Sequence, residues 1–450
     1  MSAAPSADFG AGAPAHGSGS SADPIDALLD GRWIDPDTGR AIGVTIGAIA
    51  IEDSLRGREA DLVAPLHLGA RLAVVSDAVT HEVMGERVER ALARIARIDS
   101  VVLPRDPHAD MPTVEAVRAA SASADALVAV GSGTINDLAK FAAARGGKPY
   151  AVFATAPSMN GYASANAAIT VDGHKKTLPA ALARGIFIDL SVLAAAPPRM
   201  IRAGLGDSLC RPTAQVDWLL SHHLLGTAYR SAPFALLERD EAAMFAAPEA
   251  LVTGDLAAMR ALARTLVLSG IGMTLCGGSY PASQGEHLVS HYLDMRETHS
   301  GPGRLHGEQV AVATIAMARI QEAMLDGPPP VLRATSTDEH SVRAHFGDEI
   351  GSACWREFSP KRLDAARARE LTGRVGDRWP EVRRRAAAVA HASDRLASVM
   401  RRVGGPVAPA DIGVDASTWT AAVRHARFLR DRYTFLDLAD DAGALAALLR

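Results

Sequence analysis

Ala126-Leu-Val-Ala-Val130-Gly131-Ser132-Gly133-Thr134-Ile135-Asn136-Asp137 is the stretch on which the reading of the fold turns. Its five leading apolar residues read as a strand buried on both faces. The run passes directly into two glycines, and residues 134–145 then have helical spacing. A strand that turns through glycines into a helix is the unit of a parallel sheet covered by helices. Working outward, residues 71–77 and 101–104 read as strands and residues 82–95 and 114–123 as helices. Downstream, residues 150–153 form a fourth strand.

The pattern changes at Ala196-Pro197-Pro198. Beyond it, residues 203–225, 255–275, 286–292, 307–324, 362–374, 380–401 and 416–430 read as helices, with a break at Gly327-Pro-Pro-Pro330. The expected fold is therefore an α/β nucleotide-binding domain over residues 25–197 followed by an all-α metal and substrate domain over 198–450. A ligand belongs in the cleft between them. Residues 1–24, rich in Ala, Gly, Ser and Pro, are expected to be disordered.

Composition narrows the function. The 450 residues are 48% apolar and 22% charged, with a net charge of −4. No basic excess exists to track a phosphate backbone, so nucleic acid is not an expected partner. The five lysines are far outnumbered by arginines scattered along the chain. Three cysteines, Cys210, Cys276 and Cys354, form no CxxC pair, which fits a reducing compartment. No uncharged apolar run reaches the ~18 residues of a membrane span, and the first residues lack the pattern of a secretion signal. The expected location is cytoplasmic.

The glycine turn offers a place for a phosphate, because bare backbone and unpaired helix N–H groups suit an anion. A plain tight turn explains it equally well. Asn136 stands where a dinucleotide fingerprint has its third glycine, and the turn follows the third predicted strand, not the first. Lys140, two turns into the helix, reads as solvated. Asp77, closing its strand, would accept from a ribose hydroxyl and favour NAD over NADP, or it caps the next helix.

His287 and His291 are four residues apart and share a helix face. With His306 and Asp207 they supply imidazole and carboxylate ligands for a divalent ion such as zinc. Three protein ligands would leave a position for a substrate oxygen. The bland alternative is a helix cap and partly buried polar histidines.

Gly131-Ser-Gly-Thr-Ile-Asn-Asp137, Thr155-Ala-Pro-Ser-Met-Asn-Gly-Tyr-Ala-Ser164, Gly204-Leu-Gly-Asp207, Pro281-Ala-Ser-Gln-Gly-Glu-His287-Leu-Val-Ser-His291, His306-Gly-Glu-Gln309 and Arg430-Asp-Arg-Tyr-Thr-Phe-Leu-Asp-Leu438 occur in that order. Together they resemble the sn-glycerol-1-phosphate dehydrogenase family, within the wider group of iron-containing alcohol dehydrogenases, glycerol dehydrogenases and dehydroquinate synthases. The resemblance implies a dehydroquinate synthase-like fold and an enzyme interconverting dihydroxyacetone phosphate and sn-glycerol 1-phosphate. It implies NAD as cofactor, with NADP as the alternative, bound by Gly131, Ser132, Gly133, Thr134, Ile135, Thr155, Ser158 and Ser164. It implies one divalent metal on Asp207, His287 and His306, zinc first, with nickel or iron as alternatives. Asp207 and His291 are the implied catalytic pair, His291 relaying a proton, and the protein is expected to be a dimer or larger.

Two positions depart from the family pattern. Asn160 stands where the family has Asp, keeping hydrogen-bonding capacity without the charge. Arg211-Pro212 stands where the family reads Lys then Tyr. Arg211 is read as a substrate-phosphate ligand, four residues from Asp207 and on its helix face if the helix has begun, or else as paired with a carboxylate. The competing readings are a polyol or alcohol dehydrogenase with a shifted substrate, a sugar phosphate cyclase of the dehydroquinate synthase type, and an inactive binding homologue.

Overall fold

The unit read from residues 126–137 sits inside a six-stranded parallel sheet. The structure, a computed structural model, describes residues 23–171, 174–296 and 303–449. In chain order the strands are β1 (Ala48–Glu52), β2 (Arg71–Asp77), β3 (Arg97–Leu103), β4 (Ala126–Gly131) and β5 (Tyr150–Ala154). The antiparallel hairpin β6 (Asn166–Val171) and β7 (His174–Pro179) follows, and β8 (Gly185–Asp189) returns to the sheet. The spatial order is β1-β8-β5-β4-β2-β3.

Each central strand is buried on both faces. On β2, Leu72 and Val74 join one apolar cluster while Ala73 and Val75 join the other, the alternation a pleated strand imposes. The chain runs outward from β2 to β3, then back to β4 on the other side of β2. The carboxyl ends of β2 and β4, carrying Asp77 and Gly131, thus flank a topological switch point, where open α/β sheets bind ligands.

The helices that matter for the site are α1 (Gly133–Arg145), α2 (Pro198–Ser208), α3 (Arg211–Leu225), α4 (Glu238–Ala246), α5 (Leu256–Leu275), α6 (Gly285–Arg296) and α7 (His306–Asp326). Helix α8 (Ala365–Val389) and the tail helix α9 (Phe435–Asp441) complete them. Residues of α2, α5 and α7 belong to the same core as one face of the sheet, so this core runs across residue 197. A second core lies within the later helices. By length and composition α5 could cross a bilayer, but 72% of its apolar window is buried inside the protein.

Several expectations change. Strands β1 and β8 and the hairpin are additional; β8, Gly-Ile-Phe-Ile-Asp, is short and apolar on both faces and pairs with β1 and β5. The helix expected over 203–225 is two helices, because Pro212, which lacks an N–H, fits only in a first turn. The helices expected over 362–374 and 380–401 are divided elsewhere: α8 runs through Pro380, whose missing donor falls on an exposed side of the helix. The segment expected to be disordered lies outside the described residues up to residue 22; Asp23 and Pro24 are ordered, Asp23 capping the helix Pro24–Leu29.

Candidate active site

Asp207 occupies the last turn of α2, not the start of a helix as expected. His287 and His291 lie on α6, and His306 opens α7. Asp207 Oδ1 is 3.6 Å from His287 Nε2 and 3.9 Å from His306 Nε2. One ligand atom from each of the three residues lies within 4.8 Å of the other two. The His291 ring is 6.3 Å from that of His287 and 6.0 Å from that of His306, so three imidazoles converge.

Asp207 is buried, and its Oδ1 has no hydrogen-bond partner among the described residues. Its Oδ2 accepts from the Asn160 backbone N–H at 2.9 Å. A buried carboxylate oxygen left facing two imidazole nitrogens fits a metal ligand, because nothing else there satisfies it. Burial pushes the Asp207 carboxyl up, but the imidazoles of His287 and His306 outweigh it and hold it below its ordinary value. Burial pushes His287 down, yet Asp207, Cys210 and Glu286 hold it well above.

The far nitrogens of the imidazoles are also held. His287 Nδ1 is 2.8 Å from Glu286 Oε1 and His306 Nδ1 is 3.2 Å from Ser290 Oγ. Ser290 Oγ in turn donates to Gln309 Oε1 at 2.7 Å. Partners of this kind fix ring orientation and turn Nε2 toward Asp207 Oδ1.

Backbone contact between helices makes the convergence. A Cβ at Gly204 would overlap the Pro157 carbonyl oxygen, and one at Gly307 would overlap the Ala203 carbonyl oxygen. Only glycine lets α2 press against both the 155–164 loop and the start of α7. This is the reason that Asp207, Asn160 and His306 meet.

Ser132, Gly133 and Thr134 are half-exposed at the carboxyl end of β4, beside Thr155 at the end of β5; Ile135 turns inward. Neither Gly131 nor Gly133 has a positive φ; their role is space, a Cβ at Gly131 overlapping Ile135. Asp77 caps its helix, Oδ1 accepting from Val79 N at 2.8 Å and Thr80 N at 2.9 Å. Ser158 is half-buried in the same loop as Asn160, and Ser164 Oγ accepts from Asn166 N at 3.1 Å.

Two expectations are corrected here. Lys140 is not solvated: it is fully buried, and its Nζ donates to the Gly161 carbonyl at 2.6 Å and the Asn166 carbonyl at 3.0 Å. It ties down both ends of the segment after Asn160. Arg211 does not share a helix face with Asp207, because the chain breaks between α2 and α3. Its buried guanidinium pairs with Glu241 of α4 and lies 5.5 Å from the Phe234 ring, which leaves the phosphate role without geometric support.

Residues 50–197 match the family model described as iron-containing alcohol dehydrogenase. A glycerol-1-phosphate dehydrogenase [NAD(P)+] of Bacillus subtilis is 30% identical over 82% of this chain and 85% of that protein. The chain belongs to the glycerol-1-phosphate dehydrogenase family. A further family protein, from Pyrococcus furiosus, is 34% identical over 56% of this chain and 72% of its own. The fold is that of a solved glycerol dehydrogenase from Schizosaccharomyces pombe, with TM-score 0.59 and 16% identity, covering 90% of each chain. In this glycerol-1-phosphate dehydrogenase family member, sequence reasoning missed Glu286, Ser290 and Gln309. The signal was present: Ser290 is three residues after His287 and Gln309 three after His306, each on the helix face of that histidine.

Proposed function

We propose that the protein is an NAD(P)-dependent, divalent-metal-dependent dehydrogenase interconverting dihydroxyacetone phosphate and sn-glycerol 1-phosphate. The observation that carries the reading is the buried Asp207 Oδ1, without a hydrogen-bond partner among the described residues and facing His287 Nε2 and His306 Nε2. The family's proteins named glycerol-1-phosphate dehydrogenase [NAD(P)+] support the choice of substrate and cofactor. Asp207, His287 and His306 would hold the ion, zinc first, with nickel or iron as alternatives. Bound there, an ion would supply Lewis acidity toward a substrate oxygen, and a nicotinamide cofactor would supply the hydride chemistry.

The protein's own part is placement. Gly131, Ser132, Gly133, Thr134 and Ile135, with Thr155, Ser158 and Ser164, bind the dinucleotide at the switch point, and Asp77 borders its ribose. Asn160 hydrogen-bonds a substrate hydroxyl. His291 holds the proton that the substrate oxygen gains or loses.

The test is to strip the protein with chelator, restore zinc, nickel or iron singly, and follow NADH and NADPH oxidation with dihydroxyacetone phosphate. One reduced cofactor should be consumed per substrate, only after metal is restored, and the product should have the sn-1 configuration. A metal-loaded protein that leaves dihydroxyacetone phosphate untouched would overturn the reading.

A further inference from the structure

We propose that Arg430 and Arg432, held against Ser279 and Ser283 at the edge of the metal helix α6, form the clamp that takes the phosphate of the substrate. The inference rests on the function proposed above.

The two guanidiniums meet at one hydroxyl. Ser279 Oγ accepts from Arg432 Nη2 at 2.9 Å and from Arg430 Nη1 at 3.4 Å. Arg432 Nη1 also donates to the Ser283 carbonyl, and Arg430 Nη2 donates to Thr177 Oγ1 at 3.1 Å. Among the described residues no carboxylate lies within ion-pair distance of either one. Other buried cations here have such partners: Arg211 has Glu241, Lys361 has Asp437, and Arg427 has three aspartates. Two like charges held together in a half-buried place, with spare N–H donors, suit an incoming dianion. Burial and the neighbouring Arg430 pull Arg432 down to about 9, against the opposing pull of Tyr280, Asp431 and Glu286.

The clamp is braced by an aromatic stack and joined to the segment that leads into α6. Arg432 lies 4.4 Å from the Tyr280 ring, and Tyr280 is stacked on Trp218. Its contact Ser283 is four residues before His287. On the other side of the same loop, Cys210 Sγ donates to the Ala282 carbonyl at 3.5 Å, three residues beyond Asp207. Thr177 belongs to β7, the hairpin that continues from the Asn160 loop. The tail, the 279–283 loop and the hairpin therefore meet at the two arginines, just before the start of α6. Arginine forks match phosphate oxygens bidentately and have little to offer an uncharged polyol.

The experiment compares the metal-loaded wild type with R430M, R432M and the two lysine variants, using dihydroxyacetone phosphate and dihydroxyacetone. Each methionine variant should lose about ten- to a hundredfold in kcat/KM on the phosphorylated substrate, mostly in KM, with little change on dihydroxyacetone and in NADH affinity. The lysine variants should recover part of the loss. Inorganic phosphate should raise the melting temperature of the wild type and not of R430M/R432M. Equal losses on both substrates, or an undiminished phosphate shift in the double variant, would overturn the clamp. A wild type inactive on dihydroxyacetone phosphate but still showing the arginine-dependent phosphate shift would overturn the function reading and leave the clamp standing.

Discussion

Asp207 divides its two oxygens between two tasks. Oδ2 fastens the Asn160 backbone, and Oδ1 faces His287 and His306. Asp207→Asn keeps the shape but replaces a charged oxygen, so metal content and turnover should disappear together; full metal occupancy in that variant would contradict the assignment. Ser290 acts one step back, through His306 Nδ1. Ser290→Ala should weaken metal binding by about 10–100-fold, read by competition with a chelator, while the fold persists. Lys140 is a third kind of residue, touching neither metal nor triad. Lys140→Met leaves the part-buried carbonyls of Gly161 and Asn166 without their donor, at a cost of about 1–3 kcal/mol in all. The Asn160 loop should loosen, and KM for both cofactor and substrate should rise; unchanged kinetics would make Lys140 only a stability residue.

At the level of elements, the sequence shows chemistry more plainly than contact. The strand–turn–helix unit is legible because strands buried on both faces read as apolar runs, and His287 and His291 because they fall at helical spacing; the approach of Asp207 and His306 to His287 is a contact between separate helices that spacing does not carry. Lys140 reads as solvated but is buried, and of the two readings of Arg211 the pairing with a carboxylate holds; both depend on segments distant in sequence, Gly161 and Asn166 for one and Glu241 for the other. The strand β1 was missed because it lies before the region where strands and helices visibly alternate. The glycines of Gly204-Leu-Gly-Asp207 read as part of a motif, but their reason is helix approach. Gly204→Ala should push α2 off the Pro157 carbonyl, destabilise the fold by about 1–3 kcal/mol and reduce metal retention. Denaturation midpoints and metal analysis on one preparation check both; an unaltered midpoint with full metal would mean the approach is soft.

For the whole molecule, acid stability is set partly by half-buried histidines held neutral. Burial holds His223, His391 and His425 down to about 4, with neighbouring arginines or histidines adding to it. A histidine whose folded value is depressed contributes stability above its unfolded value and loses it as pH falls through the folded one. The stability at risk is therefore lost between the ordinary value of 6.5 and about 4. Burial raises Asp217 to about 7, and its contribution has the opposite sign, favouring the acid side over the same range. Melting temperature measured from pH 7 to 4 should fall less steeply in His425→Gln than in the wild type; parallel curves would show that His425 does not titrate on unfolding.

The apolar core that crosses residue 197 has a consequence for anyone who would cut the gene there. The first piece would carry a sheet with one face stripped of the α2, α5 and α7 side chains that cover it, and the second would expose those same side chains. Each fragment made alone should aggregate, whereas the two made in one cell should find each other and restore the enzyme without a peptide bond between them. The chain could then serve as a two-part reporter, its signal the oxidation of the reduced nicotinamide cofactor and its switch the meeting of two tethered halves.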